Sequence, residues 1–493
     1  MDNRGTTAGV MEHPGSLKKG TENLPPLRLR DKKVLVVGLG ISGEAVASFL
    51  CRQGALVSVS DHRPADELVD SIGRLQSLPL LTIETGGHSQ ELFLRQDLIV
   101  VSPGVPLVLE VISQARKKGI PVIGELELAG RSVSLPLIGL TGTNGKTTTV
   151  TLLGELFAAA GFHPFVGGNI GTPAIEMARD DADWDVGILE LSSFQLEGIE
   201  QFRPHVGIIL NVTPDHQDRY PSHEAYLQAK MKIMQCQGRD DFLLLNRDDL
   251  LLADQLQLLH ERWLRGESVP RPVSFSCRTM VEDGGCCLGG KIVCHISGND
   301  GGRSCTVPLP EVHMPGEHNR SNLLAAFLAG FLYGLDPRVM LATISAFKGL
   351  PHRLEFVARV AGIEYVNDSK ATNLDAVARA IDSFDQPIVL LLGGRDKGAS
   401  FGDLAGVMGG RVRDIVPFGE AADLIARQLP HFYAGEQAAN LREAVIKGTT
   451  LAHAGDVVLL SPGCASFDEF ASYRHRGDCF KSVVSELASG ALP

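Results

Sequence analysis

Short, wholly apolar runs recur along the chain. Each gives way to a turn rich in glycine or polar residues and then to apolar positions at helical spacing. Lys33 to Val37 reads as a buried strand. The turn Gly38-Leu39-Gly40-Ile41-Ser42-Gly43 follows, then a helix begun by Ala45, Val46, Phe49 and Leu50. A second strand runs from Leu56 to Ser60 and ends at Asp61. Leu98 to Val101 is a further strand, stopping at Ser102-Pro103-Gly104. The pattern restarts with the strand Leu137 to Leu140, the turn Gly142 to Thr148, and a helix marked by Val150, Leu153, Leu156, Phe157 and Ala160 that closes at Gly161. Two more strands, Val186 to Leu191 and Val206 to Leu210, carry polar residues at their ends. From about residue 350 the pattern starts a third time, with strands Ile363 to Val366, Ile388 to Leu392 and Val457 to Leu460. This alternation predicts an α/β fold of three domains. They are a Rossmann-like N-terminal domain over 29–132, a central P-loop ATPase-like domain with a mostly parallel sheet over 133–349, and a Rossmann-like C-terminal domain over 350–493. Residues 131–136 read as a linker, and the polar residues 1–28 as a disordered tail. Polar clusters at the strand ends of three sheets imply a cleft between domains.

The turn after Leu140 carries the strongest chemistry. In Gly142-Thr143-Asn144-Gly145-Lys146-Thr147-Thr148, glycines free backbone N–H groups to face an anion, and the helix N-terminus adds partial positive charge. Lys146 can reach the β and γ phosphates, and the Thr147 hydroxyl can hold Mg²⁺. The strict motif wants a glycine where Leu140 stands, so this is a shortened variant. Glu190 and His216 end neighbouring strands and are placed to hold Mg²⁺ or its waters. Residues 166–171 read as a ligand-facing loop. The first turn, with G-x-G-x-x-G and Asp61 after the next strand, is a dinucleotide-type fingerprint that does not say which nucleotide it takes. Taken alone, Ser102-Pro103-Gly104 is a plain turn, and Lys230 and Lys232, in the helical stretch 222–234, read as solvated lysines. Gly316-Glu317-His318-Asn319 opens a broadly apolar helix over 322–333.

Composition narrows the partners. With 46 basic and 58 acidic residues the net charge is −12, which argues against nucleic acid. No apolar run is long enough to span a bilayer, and the N-terminus lacks the apolar segment of a signal peptide. The chain has 9 cysteines, which suggests reduced thiols in a cytoplasm. Five of them, Cys277, Cys286, Cys287, Cys294 and Cys305, crowd one stretch without C-x-x-C spacing. A glycine-rich β-hairpin region is the plainer reading there, and a zinc site the rarer one.

Together these motifs resemble the Mur ligases, over about residues 30–490. The shared marks are G-T-N-G-K-T-T, the Glu190 strand end, N-x-x-x-D-H at 211–216, G-x-H-N-x-x-N at 316–322 and His352-Arg353. These marks would also fit the folate polyglutamylating ligases. N-D-S-K-A-T-N at 367–373, S-P-G at 102–104 and S-P-G-C-A-S-F-D-E-F at 461–470 resemble the D-glutamate-adding members most closely.

The resemblance implies an ATP- and Mg²⁺-dependent amide ligase. It would join D-glutamate to UDP-N-acetylmuramoyl-L-alanine through an acyl phosphate, acting as a cytoplasmic monomer without nucleic acid or membrane insertion. It implies UDP contacts from Ile41, Ser42, Asp61, His62, Arg63, Ser102, Pro103 and Gly104, and muramoyl contacts from Asn169 and His216. Gly142, Thr143, Asn144, Gly145, Lys146, Thr147 and Thr148 would hold ATP, completed by Asn319, Asn322, Arg353 and Asp368. Thr147, Glu190, His216 and a carbamylated Lys230 would serve the metal. Lys370, Thr372, Lys397, Ser466, Phe467 and Tyr473 would bind D-glutamate. Lys146, Glu190, His216, Lys230 and Arg353 would carry the chemistry.

Overall fold

The computed structural model describes residues 27–490 except 79–80, 216–218, 299–301, 313, 315, 397, 434 and 436. The expected tail therefore lies almost wholly outside the described residues, as do His216 and Lys397. Three sheets are present. The first has five parallel strands in the order Leu81–Thr85, Leu56–Asp61, Lys33–Val37, Leu98–Val101 and Val122–Gly124. Strand order reverses between Lys33–Val37 and Leu98–Val101, so a crevice opens at their carboxyl ends. The turn there depends on glycine: a Cβ on Gly43 would lie 1.9 Å from the Gly38 carbonyl oxygen.

The central sheet has nine strands, and its order places Leu137–Thr141 between Val186–Glu190 and Val206–Ile209. Pro164–Gly168 forms one edge. On the other side Phe242–Asn246, Arg271–Ser276 and Gly284–Leu288 continue in parallel, and Lys291–Ile296 and Arg303–Pro308 add antiparallel strands. The helices Lys146–Ala159 and Glu317–Leu332 share one core with these strands. The second helix is apolar on nearly every side, and Leu323 to Ala329 are all essentially inaccessible. The third sheet orders Glu355–Val360, Ile363–Asn367, Val457–Gly463, Ile388–Gly393 and Val412–Phe418. Only its first pair is antiparallel, and it has an apolar core on each face.

Three boundaries differ from the sequence reading. The helix Glu125–Ser132 covers the start of the expected linker, leaving 133–136 as the connection. Residues 166–168 belong to the edge strand, so only 169–171 form the loop after it. The helix expected over 322–333 begins at Glu317.

The domains are joined by different means. The Glu125 carboxylate accepts the Ile175 N–H at 2.8 Å, and Glu127 accepts those of Glu200, Gln201 and Phe202 at 2.9–3.0 Å. The N-terminal domain is thus held to central-domain backbone by buried carboxylates. The C-terminal domain meets the central domain through polar side chains: the Asn144 amide and the Thr213 hydroxyl both donate to Asp375.

Within the C-terminal domain the inaccessible Arg476 donates to the carbonyls of Ser369 at 2.8 Å, Cys464 at 3.1 Å and Ala465 at 3.3 Å. It ties together the loops after two strands. Truncation would leave those carbonyls buried without donors. Arg476→Ala is expected to lower stability by roughly 3 kcal/mol in urea denaturation, with loss confined to the C-terminal transition.

Candidate active site

The turn after Leu137–Thr141 has little side-chain substance, so its neighbours hold its shape. Asn211, at the end of the adjacent strand, accepts the backbone N–H of Thr143 at 3.1 Å and Asn144 at 2.9 Å, and its amide donates to the Asn144 carbonyl at 3.1 Å. Gly145 has φ +83°, and a Cβ there would lie 2.4 Å from Asn322 Oδ1. The Lys146 ammonium folds back onto the turn and donates to the carbonyls of Gly142 at 2.9 Å and Thr143 at 2.7 Å. Burial pushes its pKa down to about 8, with Glu190 opposing and Arg353 adding to the effect.

Lys230 corrects the reading of a solvated lysine. It is 1 % exposed and donates to the same Gly142 carbonyl at 2.8 Å, with its Nζ 4.3 Å from the centre of the Tyr226 ring. Burial and then the Lys146 charge drive its pKa well below the ordinary lysine range, against a weaker pull from Asp215. Tyr226, Leu227, Lys230 and Met231 form the buried side of the helix His223–Met231. Lys232, just beyond, is only partly buried. Helical spacing alone cannot show that one lysine of such a face meets a polar loop.

Glu190 is buried at the end of its strand. One carboxylate oxygen accepts from the Asn169 amide at 3.1 Å, while the other finds no partner among the described residues. A buried anionic oxygen left open beside Lys146 and Thr147 fits a divalent cation held with phosphate oxygens. Facing it, Arg353 comes from the loop Pro351–Leu354, where His352 and Leu354 take φ values of 66° and 44°. Such conformations are costly for these residue types and survive where surroundings fix them. His352 is packed so closely that a Cβ on Gly477 would lie 2.2 Å from its Nδ1. The Arg353 guanidinium donates to the Thr147 hydroxyl at 3.1 Å, and its buried Nε has no partner among the described residues. Burial lowers its pKa, partly offset by Glu190 and Asp368. Burial pushes Asp368 up to about 7, against hydrogen bonds from Ser461 at 2.9 Å and the Leu354 N–H at 3.3 Å. Asn319 and Asn322, buried in the first turns of their helix, complete this wall.

This cleft also takes in Lys370 and Thr372, but not Ser466, Phe467 or Tyr473. Lys370 Nζ lies 3.4 Å from the Tyr473 hydroxyl; Ser466 is buried and Phe467 is 62 % exposed. The crevice of the first sheet brings together Ile41, Ser42, Asp61, His62, Arg63 and Ser102 to Gly104. It meets the cleft beside the glycine turn at Asn169 and Ile170, which line both. Within it the Asp61 carboxylate accepts the Leu39 N–H at 2.6 Å and the Arg63 guanidinium at 2.9 Å. Burial works against its charge, but these hydrogen bonds prevail and hold its pKa at about 2. Asp61 therefore shapes the glycine turn and orients Arg63.

The sequence reading gave no role to Asn211, His318, Asp375 or Arg379, all now at this junction. Asn211 and His318 stood inside quoted motifs. Asp375 carried no signal because it accepts from Asn144 and Thr213 in another domain, and Arg379 none because it pairs with Asp375 one turn earlier on the same helix. The cysteine stretch forms the antiparallel end of the central sheet. Its strands Gly284–Leu288, Lys291–Ile296 and Arg303–Pro308 pair antiparallel, as the hairpin reading expected, and no cluster of three or more metal-binding side chains occurs among the described residues.

Two expectations follow. Asn211→Ala should reduce turnover roughly tenfold to a hundredfold with little change in melting temperature, since it loosens the turn but leaves the core intact. If Lys146 is the cation that meets phosphate, it is present in that form below a pKa of about 8. The kcat/KM for ATP should therefore fall about tenfold per pH unit above that value.

Residues 32–124 match the family described as Mur ligase MurD-like, N-terminal domain; 140–330 match the Mur ligase middle domain; and 352–464 match the Mur ligase, glutamate ligase domain. A UDP-N-acetylmuramoylalanine–D-glutamate ligase of Geotalea daltonii is 42% identical over 464 residues, covering 94% of this chain and 99% of its own. The ligase of the same name from Acidobacterium capsulatum is 43% identical over 460 residues, covering 93% and 97%. Among solved structures, the UDP-N-acetylmuramate-alanine ligase of Thermotoga maritima has TM-score 0.53 at 19% identity, covering 92% of this chain and 99% of its own. MurF ligase of the same organism, in complex with ADP, has TM-score 0.55 at 14% identity, covering 94% and 96%. These two bear on the fold alone.

Proposed function

The chain belongs to the Mur ligase family, and on that premise we propose how its three domains divide the work of an ATP-dependent D-glutamate ligase of peptidoglycan precursor synthesis. Residues 29–132 bind the UDP end of UDP-N-acetylmuramoyl-L-alanine, 133–349 bind ATP, and 350–493 bind D-glutamate. The reading takes the protein as a cytoplasmic monomer. Among the described residues no helix is long and apolar enough to cross a membrane.

The observation that carries the reading is the meeting of Arg353, from the C-terminal domain, with Thr147 of the phosphate cradle. A carboxylate is a poor electrophile. Phosphorylating the alanyl carboxylate with the γ-phosphoryl of ATP supplies a leaving group, and the amine of D-glutamate then displaces phosphate. Bringing a triphosphate to a carboxylate requires fixed positive charge. Lys146 and Arg353 supply it from opposite sides, and Arg353 still has an unused buried N–H. Mg²⁺ held by the open oxygen of Glu190 and by Thr147, with His216, would neutralise further phosphate charge. Lys230, driven toward its neutral amine, is in the form that reacts with carbon dioxide, and its carbamate would add a second anionic ligand. Asn319, Asn322 and Asp368 complete the ATP site. Asn169, shared by both clefts, stands where the muramoyl chain would pass from one to the other. Lys370 and Thr372, with Lys397, Ser466, Phe467 and Tyr473, take the incoming D-glutamate. A nicotinamide cofactor in the first crevice would leave the cradle without a use.

Phosphate release from ATP tests this directly. It should require both UDP-N-acetylmuramoyl-L-alanine and D-glutamate, and should disappear in Lys146→Ala. Release with L-glutamate or L-lysine in place of D-glutamate would refute the acceptor assignment, and no release with any acceptor would refute ligation.

A further inference from the structure

The cysteines of the stretch 277–305 take no part in the site above, yet four of them meet in pairs. Cys294 and Cys305 stand directly opposite each other on neighbouring antiparallel strands, near enough that each thiol shifts the titration of the other. Opposed residues on such strands hold their Cα atoms about 4.5–5.5 Å apart, a separation a disulfide spans without backbone movement. Cys277 directly follows Ser276, which is in parallel register with Cys286. It therefore lies beside Cys287, and these two thiols likewise shift each other's titration. All four are free thiols, and each pair joins a partly exposed member, Cys305 or Cys277, to a buried one.

We propose that this end of the central sheet is a reversible oxidation site for hydroperoxides, at which Cys294–Cys305 and Cys277–Cys287 each close to a disulfide, the second acting on the ATP side of the cleft. One thiolate of a pair attacks a peroxide oxygen and breaks the O–O bond. The sulfur becomes a sulfenic acid, and the other peroxide oxygen leaves as hydroxide or an alkoxide. The neighbouring thiol then displaces the sulfenic oxygen as water and the S–S bond forms. Two thiols and one hydrogen peroxide give one disulfide and two waters, and a thiol reductant reverses the change. Beside Cys294 the pKa of Cys305 is lowered, which favours the partly exposed thiol as the attacking group in that pair, whereas in the other pair the buried Cys287 is lowered and Cys277 raised, which favours Cys287.

The link to ATP runs through the residues around Cys277. The Ser276 hydroxyl and the Cys277 N–H both donate to Asp248, at 2.5 and 2.7 Å. Arg278 donates to Glu317 at 2.6 Å, and Glu317 opens the helix that carries Asn319 and Asn322. A bridge at Cys277 constrains this loop, whereas the Cys294–Cys305 pair sits on the outer strands.

The test uses the full-length protein treated with hydrogen peroxide under native conditions. Free thiols are alkylated, and peptides are mapped by mass spectrometry. The expected result is two linked peptides, Cys277–Cys287 and Cys294–Cys305, both reversed by dithiothreitol. The KM for ATP should rise several-fold on oxidation in the parent and in Cys294→Ser, but not in Cys277→Ser. Unchanged thiols in a folded, treated protein, other pairings, or sulfinic acids in place of bridges would overturn the site. Bridges with an unchanged KM would overturn the link to ATP. Peptide mapping of the parent needs no variant, so a substitution that fails to fold leaves it decisive.

Discussion

Two lysines converge on one carbonyl oxygen. Lys146 and Lys230 both donate to Gly142, at 2.9 and 2.8 Å, in a place largely closed to water. Two ammonium groups so close and so desolvated cannot both keep their charge at ordinary cost. The fold resolves this by driving Lys230 further toward the neutral amine and leaving Lys146 the more readily protonated of the two. One lysine is thus kept nearer its cationic form and the other nearer its neutral amine. The same contacts fix the carbonyl side of the glycine turn, whose own side chains Thr143 and Asn144 reach outward to Thr213 and Asp375.

The rest of the site extends this logic of scarce, well-placed charge. Asn211 holds the N–H side of the turn, and Asn322 lies against Gly145. Arg353 arrives on a strained loop from another domain, with one N–H committed to Thr147 and another unspent. Glu190 answers with one committed and one unspent oxygen. Buried polar atoms without partners are expensive, and here they face each other across a cleft fitted to a polyphosphate and a cation. The N-terminal domain is fastened by buried carboxylates on backbone, whereas the C-terminal domain rests on Asp375 and Arg353. On the proposed division of work, that difference would let the amino-acid domain open for exchange while the UDP domain stays aligned.

Much of this was legible in the sequence, because apolar strands ending in polar turns are local patterns. The strand Lys33–Val37 has the expected bounds, and the cradle turn lies between a strand and a helix as its glycines required. Resemblance added roles that spacing could not supply, above all for Lys230. What stayed hidden depends on contacts between distant segments. Lys230 read as solvated because nothing local shows that its helix lies against Gly142. Asp375 was silent because its partners, Asn144 and Thr213, belong to another domain. Asp61 kept its place in the crevice, but its carboxylate is engaged with Leu39 and Arg63, a use the fingerprint does not encode. The linker was set too early because the helix Glu125–Ser132 runs on through the linker's first two residues, where Arg131 lies 3.9 Å from Glu127 and the Ser132 hydroxyl donates to the Leu128 carbonyl at 2.7 Å.

The central claim is that the cleft between Lys146 and Arg353 transfers the γ-phosphoryl of ATP to the substrate carboxylate before the amide forms. Oxygen-isotope tracing reads this most directly. UDP-N-acetylmuramoyl-L-alanine labelled with ¹⁸O in the alanyl carboxylate is turned over with ATP and D-glutamate, and the released phosphate is analysed by mass. The account predicts one labelled oxygen in each phosphate, carried over from the carboxylate. Unlabelled phosphate would mean that ATP is cleaved without passing through an acyl phosphate, and would contradict it.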